Sequence, residues 1–349
     1  MRAQVLESYD PEMTSRAWLS PQNVSEPTRS KATDVIVRVA GSGVCRTDLH
    51  IIQGVWRPFM DNHGGLLPLI LGHETAGWIE DIEPGLTGMN VGDPVIVHPK
   101  ISNGLCLACR RGEDMYGEGP FPGVDCNGGY AELLKTDVRN LVRLPRTLSP
   151  KDVAPYADAG LTAYRAVKKA TRTLLPGQFC AVIGIGGLGH LGVQCLKSMC
   201  AAEVIAIDAS HAGTTLALEC GADHVILADG DEVRKVLDLT HGRGAEAVID
   251  FVGEHGTSTK GLAMTCTGGT YFLVGYGEEL HVPSASIVLT EKSIVANLVG
   301  TWAELSELIS LAERGRVKLY TREFSLTEAN EALRALHCGE IVGRAILIP

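Results

Sequence analysis

The stretch from Cys180 to Asp208 constrains the fold more than any other part of the chain. An apolar strand, Cys180–Gly184, leads into the turn Gly184-Ile185-Gly186-Gly187-Leu188-Gly189, a helix follows over Leu188–Met199, and a second strand runs Val204–Asp208. Glycines at such a junction let the backbone approach a pyrophosphate at the helix N-terminus, where free N–H groups point at it. A carboxylate about twenty residues on, here Asp208, can accept hydrogen bonds from the adenosine ribose hydroxyls. The glycine pattern alone also fits an ordinary strand–helix turn with a solvated Asp. Its position between an apolar strand and a helix, together with Asp208, points to a dinucleotide. Asp208 would repel a 2′-phosphate, and Ala209-Ser210-His211-Ala212-Gly213 offers no Arg to offset that, so NAD is expected over NADP.

Around this unit the texture changes along the chain. Before about Lys151 we expect short strands (Asp34–Val39, Gly72–Glu83, Pro94–His98, Gly129–Leu134) and no amphipathic helix of any length. After it, strand and helix alternate: Thr214–Glu219 and Glu232–Leu239 read as helices. His224–Leu227, Ala247–Val252, Thr270–Val274 and Ile294–Val299 read as strands that complete six in one parallel sheet. The tail beyond Thr301 holds two helical stretches and a last strand, Gly343–Ile348. Thr173–Leu196 has no formally charged side chain, yet Pro176, Gly177 and the glycine turn break it, so it is strand, turn and helix rather than a membrane span. The 349 residues suit two domains, and 31 basic against 41 acidic residues, a net charge of −10, argue against nucleic acid or an anionic membrane as partner. Ten cysteines are too few for a disulfide-stapled scaffold, and the first ten residues hold no apolar run like a signal peptide, so a cytoplasmic enzyme is expected.

Three segments supply metal-ligand chemistry: Cys45-Arg46-Thr47-Asp48 with His50, Gly72-His73-Glu74, and Asp158-Ala159-Gly160-Leu161-Thr162. A thiolate, an imidazole and a carboxylate can hold Zn²⁺ while leaving one position open, as Lewis-acid catalysis requires. The ligands are far apart in sequence, so spacing does not reveal the site. Taken singly, Cys45 reads as a buried thiol and His73 as a structural histidine.

In these segments the chain resembles the zinc-dependent alcohol dehydrogenases of the medium-chain dehydrogenase/reductase superfamily, and closest in pattern are the bacterial secondary-alcohol dehydrogenases. The resemblance covers essentially the whole chain. It implies an α/β protein with a Rossmann NAD-binding domain (156–299) and a β-rich GroES-like catalytic domain (1–155 and 300–349). It implies Cys45, His73 and Asp158 as zinc ligands, Asp158 standing where most relatives have Cys, and Glu74 as a carboxylate able to reach the metal when substrate leaves. It implies that Thr47 takes the alcohol proton and passes it through the nicotinamide ribose to His50, and that Asp48 accepts the far N–H of His73. Arg46 would pair with the pyrophosphate, and Val252, Val274 and Tyr276 would hold the nicotinamide. Trp56, Phe59 and Met60 would wall an apolar pocket for a hydrophobic, secondary or benzylic alcohol, converted to its ketone or aldehyde. A homodimer or homotetramer is expected.

Four alternatives stay open on the residues alone. Asp48 could simply cap a helix start, and so could Asp158, with zinc then held by Cys45, His73 and Glu74. Without metal at Asp158 the chain would read as a zinc-free reductase of quinones or activated double bonds. A silent dinucleotide-binding protein would have no use for Thr47 and His50. The family often carries a second, structural zinc on four cysteines; here only Cys106 and Cys109 stand in that segment, with Asn103 and Gly117 in the other two places and Cys126 outside the pattern. Asn is a poor zinc donor and Gly has no side chain, so no structural zinc is expected.

Overall fold

A computed structural model describes residues 1–86 and 88–349. The chain forms two compact units, one of Met1–Ala159, Thr301–Glu313 and Leu319–Pro349, the other of Gly160–Gly300 with Arg314–Lys318. The edges differ from the sequence expectation: residues 156–159 belong to the first unit, because the 3-10 turn Ala154–Ala157 packs on the strands Asp34–Val44 and Glu74–Asp81. Arg314–Lys318 returns to the second, where Gln194 bonds to both the carbonyl and the N–H of Lys318.

The second unit is built on six parallel strands: Phe179–Ile183, Glu203–Asp208, His224–Leu227, Ala245–Asp250, Thr265–Leu273 and Ser293–Ala296. By chain position they lie in the order 3-2-1-4-5-6, so the order reverses beside the first strand. A ligand crevice opens at the carboxyl ends of the strands at such a reversal. Interior strands of a parallel sheet are covered on both faces, and Phe179–Ile183 is accordingly apolar and buried at every residue. Three helices lie outside the sequence expectation, Ala159–Ala170, Thr257–Met264 and Ser284–Thr290. The second carries Gly261, whose absent Cβ would stand 2.5 Å from the Tyr271 ring, so close packing on the sheet replaces an apolar stripe.

The first unit is a mostly antiparallel sheet. Its strands run, side by side, Thr321–Ser325, Arg344–Ile348, Asp34–Val44, Glu74–Asp81, Pro94–Val97 and Leu141–Arg143, with Leu133–Asp137 also paired to Asp34–Val44. The expected strand at Gly129–Leu134 is displaced to Leu133–Asp137, because Gly129 and Tyr130 bond instead to the Gly72 and Leu71 carbonyls in a loop. A helix also occurs where none was expected, at Arg46–Ile52. It spans only seven residues, too few for a 3.6-residue periodicity to declare itself. It is fixed by Asp48, whose Oδ2 accepts the Cys45 N–H at 2.8 Å, and by burial of Leu49, Ile51 and Ile52. Those three join Leu6, Leu71, Tyr130, Leu333 and Leu347 in the core of this unit.

Candidate active site

The metal-ligand candidates converge within the first unit. Donor atoms of Cys45, His73, Glu74 and Asp158 all lie within 4.8 Å of one another, and all four residues are buried. Cys45 sits at the turn from the strand Asp34–Val44 into the helix Arg46–Ile52. Glu74 opens the neighbouring strand, in register with Gly43, and His73 stands just before it. Gly72 just before them has φ +95, a left-handed conformation suited to glycine, and a Cβ there would strike the Tyr130 ring at 2.4 Å. Asp158 follows the turn Ala154–Ala157. Its Oδ2 is 3.4 Å from His73 Nε2 and 3.8 Å from Cys45 Sγ.

Neither ring nitrogen of His73 makes a hydrogen bond, although the side chain is almost fully buried. Nε2 faces Asp158, and Nδ1 faces Asp48 Oδ1 at 3.4 Å. Burial by itself would lower the imidazole pKa, but the charge of Asp48 and the contacts with Asp158 and Cys45 hold it well above the ordinary value. Anionic donors around a buried imidazole that makes no hydrogen bond form a site that calls for a cation, and Zn²⁺ suits a thiolate, imidazole and carboxylate set. Asp48 ties down the helix start with one carboxylate oxygen and turns the other toward His73 without a hydrogen bond. Oδ2 takes the Cys45 N–H and the Tyr130 hydroxyl at 2.7 Å, while Oδ1 is left facing His73. Burial first, and then the Asp48 charge, push the Tyr130 phenol well up, so it stays protonated and donates.

Glu74 is tied down from two directions. Its carboxylate accepts from Arg344 Nε at 3.0 Å and also from Nη2, and takes the Ala159 N–H at 2.9 Å. A Cβ on Gly43 would fall 1.8 Å from Glu74 Oε2, so only glycine leaves room for this arrangement. Glu74, rather than Asp158, thus receives the first N–H of the helix Ala159–Ala170. Burial raises the Glu74 pKa against the opposing charge of Arg344. Sequence reasoning missed Arg344 and Tyr130. The only signal for Arg344 was a lone guanidinium opening the apolar strand Arg-Ala-Ile-Leu-Ile.

On the short helix, Thr47 and His50 are three residues apart and so share a face, both half-buried, while Arg46 is exposed. Trp56 and Met60 lean on the apolar core, whereas Phe59 is 86% exposed on the turn Arg57–Met60.

In the second unit the glycine turn is tightly packed at its ends and open at its middle. Gly184 has φ +84, and a Cβ there would meet Val252 Cγ2 at 2.5 Å. Gly189 lies so close to the Gly184 carbonyl that a Cβ would come within 1.8 Å of it, whereas nothing stands within 4 Å in front of Gly186. Gly187 and Leu188 complete the turn before the helix Gly189–Met199. Asp208 is positioned in advance: Oδ2 accepts the Ile185 N–H at 2.7 Å, and Oδ1 accepts the Ser210 N–H and hydroxyl at 2.8 Å each. Gly213 makes room for this carboxylate, since a Cβ there would come within 2.2 Å of it. Val252 and Val274 follow the carboxyl ends of the fourth and fifth strands, and Tyr276 stands exposed just beyond.

Family models fit both parts of the chain: the alcohol dehydrogenase GroES-like domain over residues 31–146 and the zinc-binding dehydrogenase over 187–314. A NAD-dependent alcohol dehydrogenase of Sulfolobus acidocaldarius is 37% identical, over 90% of this chain and 91% of its own. The chain belongs to the zinc-dependent alcohol dehydrogenases. Among solved structures, the alcohol dehydrogenase of Aeropyrum pernix matches the full length of both chains at 44% identity and a TM-score of 0.95. A thermostable alcohol dehydrogenase of Pyrobaculum aerophilum, solved with cobalt and zinc bound, matches at 26% identity over 100% of this chain and 99% of its own, with a TM-score of 0.85. The protein is therefore an NAD-dependent oxidoreductase that interconverts an alcohol and its carbonyl compound, and its cofactors are Zn²⁺ and NAD. The zinc-free reductase reading is set aside. Among the described residues, no helix is long and apolar enough to cross a membrane.

Proposed function

We propose that Cys45, His73 and Asp158 hold the catalytic zinc, that Thr47 and His50 move the alcohol proton, and that the substrate is a hydrophobic secondary or benzylic alcohol. The observation that carries the reading is the convergence of these donors from three distant segments into one buried cluster beside an imidazole with no hydrogen bond. When bound, zinc makes the hydroxyl of an alcohol more acidic, and NAD takes up the hydride. Asp48 fixes the His73 tautomer: with the proton on Nδ1 facing Oδ1, Nε2 keeps its lone pair toward Cys45 and Asp158. The Thr47 hydroxyl accepts the alcohol proton, and His50, one turn along the same face, hands it to water. Glu74, pinned by Arg344, keeps a fourth donor beside the cluster without crowding it.

In the second unit, Gly186 admits the pyrophosphate, Asp208 receives the ribose hydroxyls, and Val252, Val274 and Tyr276 border the nicotinamide; Arg46, exposed on the first unit's short helix, is a cation available to phosphate. Trp56, leaning on the apolar core directly after the relay helix, supports an apolar alcohol, whereas Phe59, 86% exposed, does not wall such a pocket. A homo-oligomer is supported by the open edge strand Ser293–Ala296 and the apolar residues Val288, Leu289 and Leu298 exposed around it, since such an edge pairs readily with a second copy. Ten cysteines in 349 residues, too sparse for a disulfide-stapled scaffold, support a cytoplasmic location. The test is NAD reduction across primary, secondary, cyclic and aryl alcohols. Higher kcat/KM for secondary or benzylic alcohols supports the substrate assignment, and a preference for small or polyhydroxylated alcohols would overturn it.

A further inference from the structure

We propose that Cys106 and Cys109 form a reversible redox modification site that reacts with a low-molecular-weight disulfide. The two cysteines stand at the start of the short helix Leu107–Arg110, Cys106 preceding it and Cys109 on its third residue. Their sulfurs are 3.2 Å apart, so closing a disulfide of about 2.05 Å needs a movement of only about 1 Å. Cys106 is partly exposed and Cys109 is buried beneath it. An accessible thiol that can be attacked from behind by a sheltered one is the division of labour that dithiol–disulfide exchange requires.

The surroundings do not offer this pair a metal. Asn103 Oδ1 lies 3.7 Å from Cys109 Sγ, but it already accepts the N–H groups of Leu105 at 2.9 Å and Cys106 at 3.1 Å. The other place from which a ligand could reach is Gly117, whose missing Cβ would stand 2.6 Å from Cys109 Sγ. Two thiols are in reach of each other, and among the described residues no third and fourth donors complete a tetrahedral shell. Backbone N–H groups of Cys109, and less strongly of Glu118 and Ala108, with the Cys109 thiol, stabilise the charged form of Cys106 and draw its pKa below the usual thiol value. By contrast, burial pushes Cys126, Cys195 and Cys220 up to about 12, which leaves them poor nucleophiles.

The chemistry balances with a disulfide RSSR as oxidant. The Cys106 thiolate attacks one sulfur of RSSR, forming a mixed disulfide and expelling RS⁻, which takes up a proton. Cys109, losing its own proton, then attacks the Cys106 sulfur, closing Cys106–Cys109 and expelling the second RS⁻. Two thiols are oxidised to one disulfide, RSSR is reduced to two RSH, and the two thiol protons leave on them.

The test is to treat the zinc- and NAD-loaded enzyme with oxidised glutathione, alkylate the remaining thiols and map the peptides by mass spectrometry. The expected result is a Cys106–Cys109 link, two hydrogens lighter than the dithiol, that dithiothreitol reverses. Cys109→Ser should accumulate a glutathione adduct on Cys106, and Cys106→Ser should leave Cys109 reacting at least about tenfold more slowly. The proposal is overturned if both residues stay alkylatable in the unmodified enzyme, if the adduct on Cys106 persists there unresolved, or if the chain binds a second zinc that Cys106→Ser removes.

Discussion

Replacing Arg344 by Met removes one half of a pair in which neither side chain is more than 4% exposed. It leaves Glu74 with a single remaining donor, the Ala159 N–H. Breaking a buried, hydrogen-bonded ion pair from one side costs about 3–5 kcal/mol. A second route to the magnitude agrees. A stranded carboxylate avoids burying its charge by taking a proton, and protonating an ordinary Glu at pH 7 costs about 2.7 pKa steps, or about 3.7 kcal/mol. For a domain of this size that is a fall in Tm of about 10 °C. The loss also has a pH signature. A carboxylate whose folded pKa is raised contributes stability below its unfolded pKa, near 4.3, and that contribution fades as pH rises through the folded value. The defect should therefore be small near pH 4 to 5 and full at pH 7 to 8. Denaturant unfolding followed by tryptophan fluorescence reads it, and Glu74→Gln combined with Arg344→Met should recover a large part of the loss. Unfolding of Arg344→Met within about 0.5 kcal/mol of the unmodified protein at pH 7 would refute the reasoning, as would a double variant no more stable than the single one.

Other expectations are more local. Asp208→Ala should weaken NAD by roughly tenfold or more and narrow the preference over NADP, read as kcat/KM with each coenzyme; equal use of both by the unmodified enzyme would remove Asp208 from that role. Thr47→Ala should abolish most turnover with zinc retained, while His50→Gln should slow it by about tenfold to a hundredfold because water partly replaces the imidazole. An unchanged rate for Thr47→Ala across pH would mean that the proton leaves elsewhere. Zinc must displace the proton that the cluster holds on His73 in the metal-free protein, so retention against a chelator should fall as pH drops through that raised imidazole pKa; flat retention between pH 5 and 9 would contradict the charge argument.

The parallel sheet was legible because its strands carry short apolar runs, and the glycine motif marks where the first one ends; the polar half of Thr265–Leu273, with its two glycines, gave no such run. His224–Leu227 and Glu232–Leu239 lie where their patterns put them. The helix Arg46–Ile52 was hidden because its start depends on Asp48 reaching back to Cys45, an interaction that leaves no periodicity. The metal cluster was legible only through resemblance, since Cys45 and Asp158 are 113 residues apart. Arg344 stands 270 residues from Glu74, and nothing in a short apolar strand tells which buried carboxylate its one charge will meet.

The central claim is that Asp158 works as a zinc ligand, and zinc content with the metal's X-ray absorption spectrum tests it most directly. The unmodified enzyme should hold one zinc per chain with a single sulfur at about 2.3 Å and the remaining nitrogen and oxygen donors at about 2.0–2.2 Å. Asp158→Ala should lose the metal together with activity, and Asp158→Cys should keep it with a second sulfur in the shell. An Asp158→Ala enzyme that retains its zinc, an unaltered spectrum and full turnover would contradict the account.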